Sequence, residues 1–247
     1  MVGISSRPDR YGANGIPWIV AVALYNGLCH KCTSDCERYK NTIVHEFLKK
    51  YSKDAEYQGD LMLIDNGAWP VKKMAKDISF PDFFHGSSHY HILREMYSHK
   101  FGNKFIKDAT IIHVRLDDAG PAHNFQKFGV YQAFVGTENL IKLIKWAQER
   151  FELPVHLAGA QNDQDLEFCR EILIKCEISN PDDFIISGNT IDQDIYIMSK
   201  AKNLIVGRST FALMAGLLNE NTVYCEDWVH LRDLIGNNKS KKFQIII

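Results

Sequence analysis

The sequence has a net charge of only −1 and lacks a long apolar run and an internal repeat, and the first two features exclude classes of protein. Its 29 basic and 30 acidic side chains nearly cancel, so no overall field would hold the chain on nucleic acid or an anionic membrane. The longest apolar run near the start, 16–24, is too short to span a bilayer and lacks the flanks of a signal peptide. We therefore expect a cytoplasmic protein with no membrane span and no nucleic-acid partner. The lysines near the C-terminus are predicted to form a solvated tail: Lys239, Lys241 and Lys242.

Cysteine is sparse, with six in 247 residues. Three have a C-x-x-C-x-x-x-C spacing that could supply zinc ligands, with a nearby histidine as a fourth: Cys29, Cys32 and Cys36. A structural zinc site usually has a second ligand pair further along, whereas the next cysteines, Cys169 and Cys176, fall in a differently organised segment. We predict free thiols in a reducing compartment and no metal site.

Strand-like and helix-like apolar patterns alternate along the chain, and 45% apolar residues suffice for a substantial core. In the first half the patterns predict a strand over 2–6, helices over 16–28 and 41–51, a strand over 61–65 and a loop over 68–91. In the second half they predict strands at 110–115, 155–159, 183–187, 203–207 and 222–225, and helices at 138–151, 164–176, 195–201 and 209–218. This alternation indicates an α/β fold of two Rossmann-like lobes, 1–107 and 108–247, with parallel sheets and a cleft between them.

The first polar cluster of interest, from His113 to Asp118, follows an apolar strand. Ligands of open parallel sheets bind at the carboxyl ends of the strands. There the planar guanidinium of Arg115 can grip a diphosphate and stabilise the charge that builds on a departing oxygen. A structural ion pair between Arg115 and Asp117 or Asp118 is the alternative.

The second cluster begins where an apolar strand runs through Gly207 into two hydroxyl residues, Ser209 and Thr210. Either hydroxyl could cap the helix that follows, whose free N–H groups form an anion site. A cap that binds no ligand is the alternative. The anion site is favoured because Arg115, a second candidate phosphate contact, lies on another strand of the same predicted sheet.

Three segments together resemble the fucosyltransferase superfamily of the GT-B type. Its H-x-R-x-x-D element matches His113, Arg115 and Asp118. Its later block, an acid with a helix, a strand and a Ser/Thr-rich helix start, matches 194–199 and 209–211, and the glycine-bearing loop over 12–15 with its apolar helix is a looser match. The resemblance, mostly from residue 111 onward, implies a GT-B-like fold, a sugar-nucleotide donor and a glycan acceptor.

The resemblance also implies roles for the matched residues. Arg115 would assist departure of GDP, and Asp118 is grouped with it as a catalytic candidate. The donor would be bound by six residues besides Arg115: His113, Asp194, Arg208, Ser209, Thr210 and Phe211. The acceptor-side loop would contribute three residues: Gly12, Asn14 and Gly15. Two departures bear on the donor sugar, because several relatives have a second arginine in place of Leu116 and many have an aromatic-rich stretch in place of 212–214.

Two D-x-D segments, 163–165 and 192–194, match the pattern by which metal-using glycosyltransferases hold Mn²⁺ or Mg²⁺. Each lies just before a predicted helix, where Asp is a favoured cap and first-turn residue, so we predict neither a metal nor a cofactor. Three histidines fall in the predicted loop over 68–91 without a carboxylate at ligand spacing: His85, His89 and His91.

Inverting transfer requires a base that removes the acceptor proton, usually a carboxylate. Asp117 and Asp118 are the candidates in the second lobe, although Asp118 could instead orient Arg115. Asp9 and Asp35 are the alternatives in the first lobe. The base stays unassigned.

The predicted function is that of an inverting, metal-independent glycosyltransferase that moves a sugar, fucose from GDP-fucose, to a glycan hydroxyl. One alternative is a polysaccharide pyruvyltransferase-like enzyme, which Arg208 before a small-residue helix fits, although Phe211 stands where that family has a histidine. The other is a non-catalytic nucleotide- or glycan-binding protein of the same fold.

Overall fold

The structure is a computed structural model that describes residues 42, 43, 46, 47, 88–102, 108–116, 136–207, 209–227 and 240–246. The chain divides into two compact units, one of Met1–Asn103 with Asp227–Phe243 and one of Lys104–Glu226 with Gln244–Ile247. The elements predicted over 2–28 and 61–65, the N-terminal cysteine cluster and the acceptor-side loop lie outside the described residues. The predicted lobes, 1–107 and 108–247, stay a prediction.

Helix α1 (Ser88–Phe101) belongs to the first unit. Tyr90, Leu93 and Tyr97 are buried at spacings of three and four residues, which is one face of an amphipathic helix. The loop predicted over 68–91 is therefore wrong for its last residues, 88–91. Aromatic residues and histidines there suggested a loop, but the tyrosines form the buried stripe of a helix.

The second unit contains a β-sheet whose strands are β1 (Thr110–His113), β2 (Val155–Ala158), β3 (Ile185–Ile186), β4 (Asn203–Val206), β5 (Val223–Cys225) and β6 (Phe243–Ile245). Their spatial order is β3-β2-β1-β4-β5-β6. The pairs β1–β2, β1–β4, β2–β3 and β4–β5 are all parallel. The predicted α/β class with a parallel sheet is confirmed, and the order is that of a doubly wound nucleotide-binding fold.

The helices of this unit are α2 (Thr137–Arg150), α3 (Asp163–Lys175), α4 (Ile191–Lys200) and α5 (Thr210–Leu218), with a 3₁₀ turn at Pro181–Phe184. Ile112 and Val114 belong to the apolar core beneath α2 and α3. His113, between them in sequence, contacts Phe211 of α5. Because successive strand residues point to opposite faces, α5 lies on the opposite face of the sheet from α2 and α3.

Besides shifts of one or two residues at element ends, three predictions differ from the structure. The strand predicted over 183–187 is reduced to Ile185–Ile186, because Pro181 begins a 3₁₀ turn that includes the preceding residues. Helix α4 begins at Ile191 instead of 195, because Thr190 caps it. The solvated tail is wrong for Lys242, which is buried next to strand β6.

Candidate functional site

The two polar clusters of the sequence follow neighbouring strands. His113, the last residue of β1, is in register with Val206, the last residue of β4. The chain order reverses between these strands, since β2 and β3 lie beyond β1 while β5 and β6 lie beyond β4. Such a reversal opens a crevice at the carboxyl edge of a doubly wound sheet, and this crevice is the usual ligand site of the fold.

Two glycines allow the backbone to pack closely at this edge. A Cβ on Gly207 would lie 3.2 Å from the His113 carbonyl oxygen. A Cβ on Gly159, which has a φ of 130°, would overlap the Val114 carbonyl oxygen. Since the Val114 N–H donates to the Ala158 oxygen at 2.8 Å, glycine at 159 lets the segment that carries Arg115 stay paired beyond the end of β1.

His113 is the buried polar side chain of this edge, with 6% of its surface exposed. Burial, and then the charge of Arg115, lower the pKa of His113 to about 4, against the opposing effect of its own main chain. Its Nδ1 has no partner of hydrogen-bond geometry among the described residues. Its ring centroid lies 5.9 Å from that of Phe211 in the first turn of α5. A neutral imidazole with an unused polar atom therefore lies beside the start of that helix.

Arg115 follows β1 and is half-buried. The charge of Arg115 contributes to the lowered pKa of His113, which lies two residues earlier in the chain. Asp117 and Asp118, the carboxylates proposed as base or orienting group, lie outside the described residues.

Helix α5 presents its N-terminus at the same edge. Ser209 is the N-cap and is buried, and its hydroxyl accepts from the Ala212 N–H at 3.4 Å. The first turn contains no acidic residue, so no carboxylate of the helix itself offsets the positive end of its dipole. Thr210 is the first helical residue, and Arg208 lies outside the described residues. The geometry can accept an anion between this helix and the end of β1.

Asp194 lies in the first turn of α4, which packs against α5. It is buried and accepts from Asn189 Nδ2 at 3.1 Å. Burial raises the pKa of Asp194 to about 6, although the Asn189 hydrogen bond acts in the opposite direction. Its role as a donor contact stays a prediction.

The two D-x-D segments occupy first turns of helices, as predicted, but neither supplies the cap. Asn162 caps α3, and Thr190 forms a capping box with Gln193 at the start of α4. The Asp165 carboxylate accepts from the Gln161 N–H at 3.1 Å and from Asn162 Nδ2 at 3.0 Å. In the part of the chain that the structure describes, no three His, Cys, Asp or Glu side chains are grouped as metal ligands.

The described cysteines are buried free thiols: Cys169, Cys176 and Cys225. Burial and the nearby Asp165 charge raise the pKa of Cys169 to about 12, and burial also raises those of the other two. Because the thiolate is the nucleophilic form, none of the three suits covalent catalysis.

Two residues of this edge were missed from sequence alone. Gly159 was treated as the end of a strand, and its positive φ and contact with Val114 become visible only once β2 is paired with β1. Glu226, which follows β5, is buried at the same edge. Its sequence signal is its position at the end of a strand–helix–strand unit that begins with a glycine turn.

No protein-family model matches the chain, and no curated protein sequence matches it. Solved structures with a similar course include Escherichia coli heptosyltransferase WaaC with ADP-2-deoxy-2-fluoro heptose, at 7% identity and a TM-score of 0.40 over 65% of this chain and 43% of that one. WaaC with ADP has 9% identity and a TM-score of 0.42, over 82% of this chain and 49% of that one. E. coli ADP-heptose lps heptosyltransferase II has 15% identity and a TM-score of 0.40, over 81% of this chain and 53% of that one.

The chain thus spans about half of the length of these structures. At these values we draw neither fold nor function from the likeness. Within the described ranges, no helix combines the length and the apolar character that crossing a membrane requires.

Proposed function

We propose that the chain is a glycosyltransferase that binds a nucleoside diphosphate sugar at the carboxyl edge of its parallel sheet. One observation supports this most directly: Arg115 follows β1 and the Ser209-capped helix follows β4, and these strands are neighbours where the chain order reverses. A planar cation and a helix N-terminus side by side suit a diphosphate. His113, which is buried and contacts Phe211 in the first turn of α5, adds a polar atom without a partner in the described residues.

The proposed reaction is an inverting displacement. The acceptor hydroxyl oxygen attacks the anomeric carbon, the bond from that carbon to the diphosphate oxygen breaks, and its electron pair stays on the diphosphate. Arg115 and the N–H groups of α5 would stabilise the resulting charge. A carboxylate would take the acceptor proton, and Asp118 stays our candidate.

The finer part of the proposal is the donor, for which GDP-fucose is suggested by the H-x-R-x-x-D element and the block over 194–211. Asp194 would lie near the nucleotide, and Arg208, Thr210 and Phe211 would complete the donor site. The acceptor would be a glycan held in part by the loop over 12–15. Transfer would need neither a metal nor a cofactor.

Thermal unfolding with a ligand panel tests the binding half of the proposal. At 100 times its Kd, a ligand stabilises the protein by about 2.7 kcal/mol, so GDP should raise the Tm by several degrees. Stabilisation by UDP or ADP instead would redirect the donor, and stabilisation by phosphoenolpyruvate alone would favour the pyruvyltransferase alternative. Binding of GDP without transfer from GDP-fucose to any glycan would favour the non-catalytic alternative.

The Arg115→Ala substitution tests the catalytic half. Loss of a charge-stabilising group should lower kcat by about 10²–10³-fold, while the thermal unfolding profile stays close to wild type. The matched control is Arg170→Ala on α3, an exposed arginine paired with Glu167 and Asp182, which should leave kcat unchanged. Near-normal transfer by Arg115→Ala would remove the mechanism, and loss of transfer with EDTA that Mn²⁺ restores would remove its metal independence.

A further inference from the structure

Strands β4 and β5 and the helix between them form a single strand–helix–strand unit. The chain leaves β4 through Gly207, enters α5 at its Ser209 cap, and returns as β5 in parallel pairing with β4. In the general nucleotide-binding version of this unit, phosphate groups lie at the helix N-terminus. An acid at the end of the second strand, about 20 residues after the glycine turn, accepts hydrogen bonds from the ribose hydroxyls.

Glu226 has this position in the present chain. It comes directly after β5 and about 20 positions after Gly207. Val206 and Cys225 are register partners, and the Glu226 N–H donates to the Val206 oxygen at 3.5 Å. Gly207 and Glu226 therefore follow directly after paired residues of neighbouring strands at the carboxyl edge, and such strands are about 4.8 Å apart.

The environment of Glu226 suits a hydroxyl better than a phosphate. The side chain is 4% exposed, and its charge contributes to the raised pKa of the buried Cys225 thiol, after burial itself. A buried carboxylate accepts hydrogen bonds and repels anions. A phosphate at the start of α5 and a neutral diol one strand further out are compatible with both the helix N-terminus and the carboxylate.

On the other side of the crevice, the described residues that directly follow β1 and β2 include no acid. Strand β2, on the far side of β1, is followed by Gly159, Ala160 and Gln161. Among the described residues that directly follow β1, β2, β4 and β5, Glu226 is the buried acidic one. The ribose of the nucleotide, which is attached to the phosphates, would therefore extend from the start of α5 toward β5 and away from β2.

We propose that Glu226 binds the ribose hydroxyls of the donor nucleotide and makes the site selective for ribonucleotides over 2′-deoxyribonucleotides. This inference rests on the proposed function, because it takes the diphosphate to lie at the start of α5. It adds the ribose to the parts of the donor that the site recognises. The H-x-R-x-x-D element and the Ser209 cap concern only the diphosphate.

Isothermal titration with GDP, ADP and UDP and with their 2′-deoxy forms tests the proposal. For whichever base binds, the wild-type protein should bind the 2′-deoxy form roughly 10-fold or more weakly, which is the usual effect of losing a hydrogen bond to a charged group. Glu226→Gln should weaken binding of the ribonucleotide by a similar factor and reduce the ribose-to-deoxyribose ratio to below about 3. The control Glu171→Gln, an exposed acid on α3, should keep the wild-type ratio.

Each outcome decides the matter. A wild-type ratio near one, or a ratio that Glu226→Gln leaves unchanged, overturns the role of Glu226 while the proposed function stands. If no nucleoside diphosphate binds, the proposed function fails, and the role of Glu226 fails with it. If circular dichroism shows that Glu226→Gln does not fold, Glu226→Asp takes its place, because it keeps the charge but shortens the side chain by one methylene. It should reduce the ribose-to-deoxyribose affinity ratio to the same extent.

Discussion

Individual residues at the carboxyl edge of the sheet have properties that their types alone do not give. His113 is neutral over most of the pH range because it is buried beside a cation, and Asp194 keeps its proton to a higher pH because it is buried. Gly159 has a backbone conformation that other residues rarely adopt. These properties come from the environment, and each can be tested by a substitution.

Asp194 should make folding depend on pH. Its pKa is about 6 in the folded protein because burial disfavours the carboxylate, whereas the ordinary value is 3.8. Between these values the folded state binds more protons, so stability from this group is lost as the pH rises. The free energy of unfolding of Asp194→Asn minus that of wild type should therefore increase by about 2 kcal/mol from pH 4 to pH 6.5 and then level off.

Urea unfolding at a series of pH values measures this difference. The difference between variant and wild type is needed because His113 has the opposite effect over the same pH range. Its pKa is lowered, so its contribution to the free energy of unfolding is lost as the pH falls toward 4. Asp163→Asn, the same substitution at an exposed first-turn position of α3, serves as the control for the charge change itself. A flat profile for Asp194→Asn would show that the carboxylate titrates normally.

Gly159→Ala should be strongly destabilising. The new methyl group would overlap the Val114 carbonyl oxygen at a φ of 130°, so steric overlap adds to backbone strain, and we expect a loss of about 3 kcal/mol or more. Gly188→Ala is the matched control, because its φ is 72° and a Cβ there meets nothing within 4 Å; strain alone should cost about 1 kcal/mol. Chemical denaturation measures the free energy of unfolding of both variants. Equal decreases for Gly159→Ala and Gly188→Ala would contradict the close packing at residue 159.

At the scale of helices and strands, α4 and α5 make a natural pair for comparison. Each begins with a hydroxyl cap, Thr190 for α4 and Ser209 for α5, and each follows a strand of the same sheet. Thr190 is exposed, whereas Ser209 is buried at the reversal of chain order. Of the two helix starts, only that of α5 follows a strand that pairs with β1, and its Phe211 contacts His113.

Ser209→Ala and Thr190→Ala should consequently separate capping from binding. Each removes a hydroxyl that accepts a hydrogen bond from a helix N–H, so each should lower the free energy of unfolding by about 1 kcal/mol. Calorimetric titration with GDP should show weaker binding, by about 5- to 10-fold, for Ser209→Ala alone. Similar affinity in both variants would mean that the α5 cap holds the helix and no ligand.

The positions of most strands and helices were predictable from the sequence, because apolar residues recur with a period of two in strands and 3.6 in helices. The pattern correctly placed strands β1, β2, β4 and β5 and helices α2, α3 and α5. It failed at α4, whose start depends on the Thr190 capping box, and at Pro181, where a 3₁₀ turn replaces a strand. It missed α1 because tyrosines form its buried face.

The site was predictable only in part, for a physical reason. Arg115 and Ser209 could be found because strand ends and helix caps have local signals. That their strands are neighbours depends on pairing between segments far apart in sequence, which no local pattern specifies. Glu226 was missed for the same reason, since it becomes interesting only when β5 is seen next to β4.

At the scale of the whole molecule, the described residues assigned to donor binding all fall within one of the two compact units: His113, Arg115, Asp194, Ser209, Thr210 and Phe211. This unit has its own apolar core beneath α2 and α3. A nucleotide bound by these residues should therefore stabilise this unit locally.

Hydrogen exchange followed by mass spectrometry can show this. With saturating GDP, amides in 111–116 and 209–213 should exchange at least about 10-fold more slowly, because opening of the site must release the ligand first. Amides of α1, which belongs to the other unit, should exchange at unchanged rates. Protection confined to α1 would place the nucleotide away from the proposed edge.

The central place of β1 also affects how the chain is made. Among the described strands of the sheet it is the first in sequence, yet its partners β2 and β4 are separated from it by a helix or more. A ribosome releases Thr110–His113 long before Asn203–Val206, so this apolar segment is left half-paired while the rest is synthesised. Nascent chains stalled before residue 203 should therefore be the species that chaperones bind and that aggregates most readily.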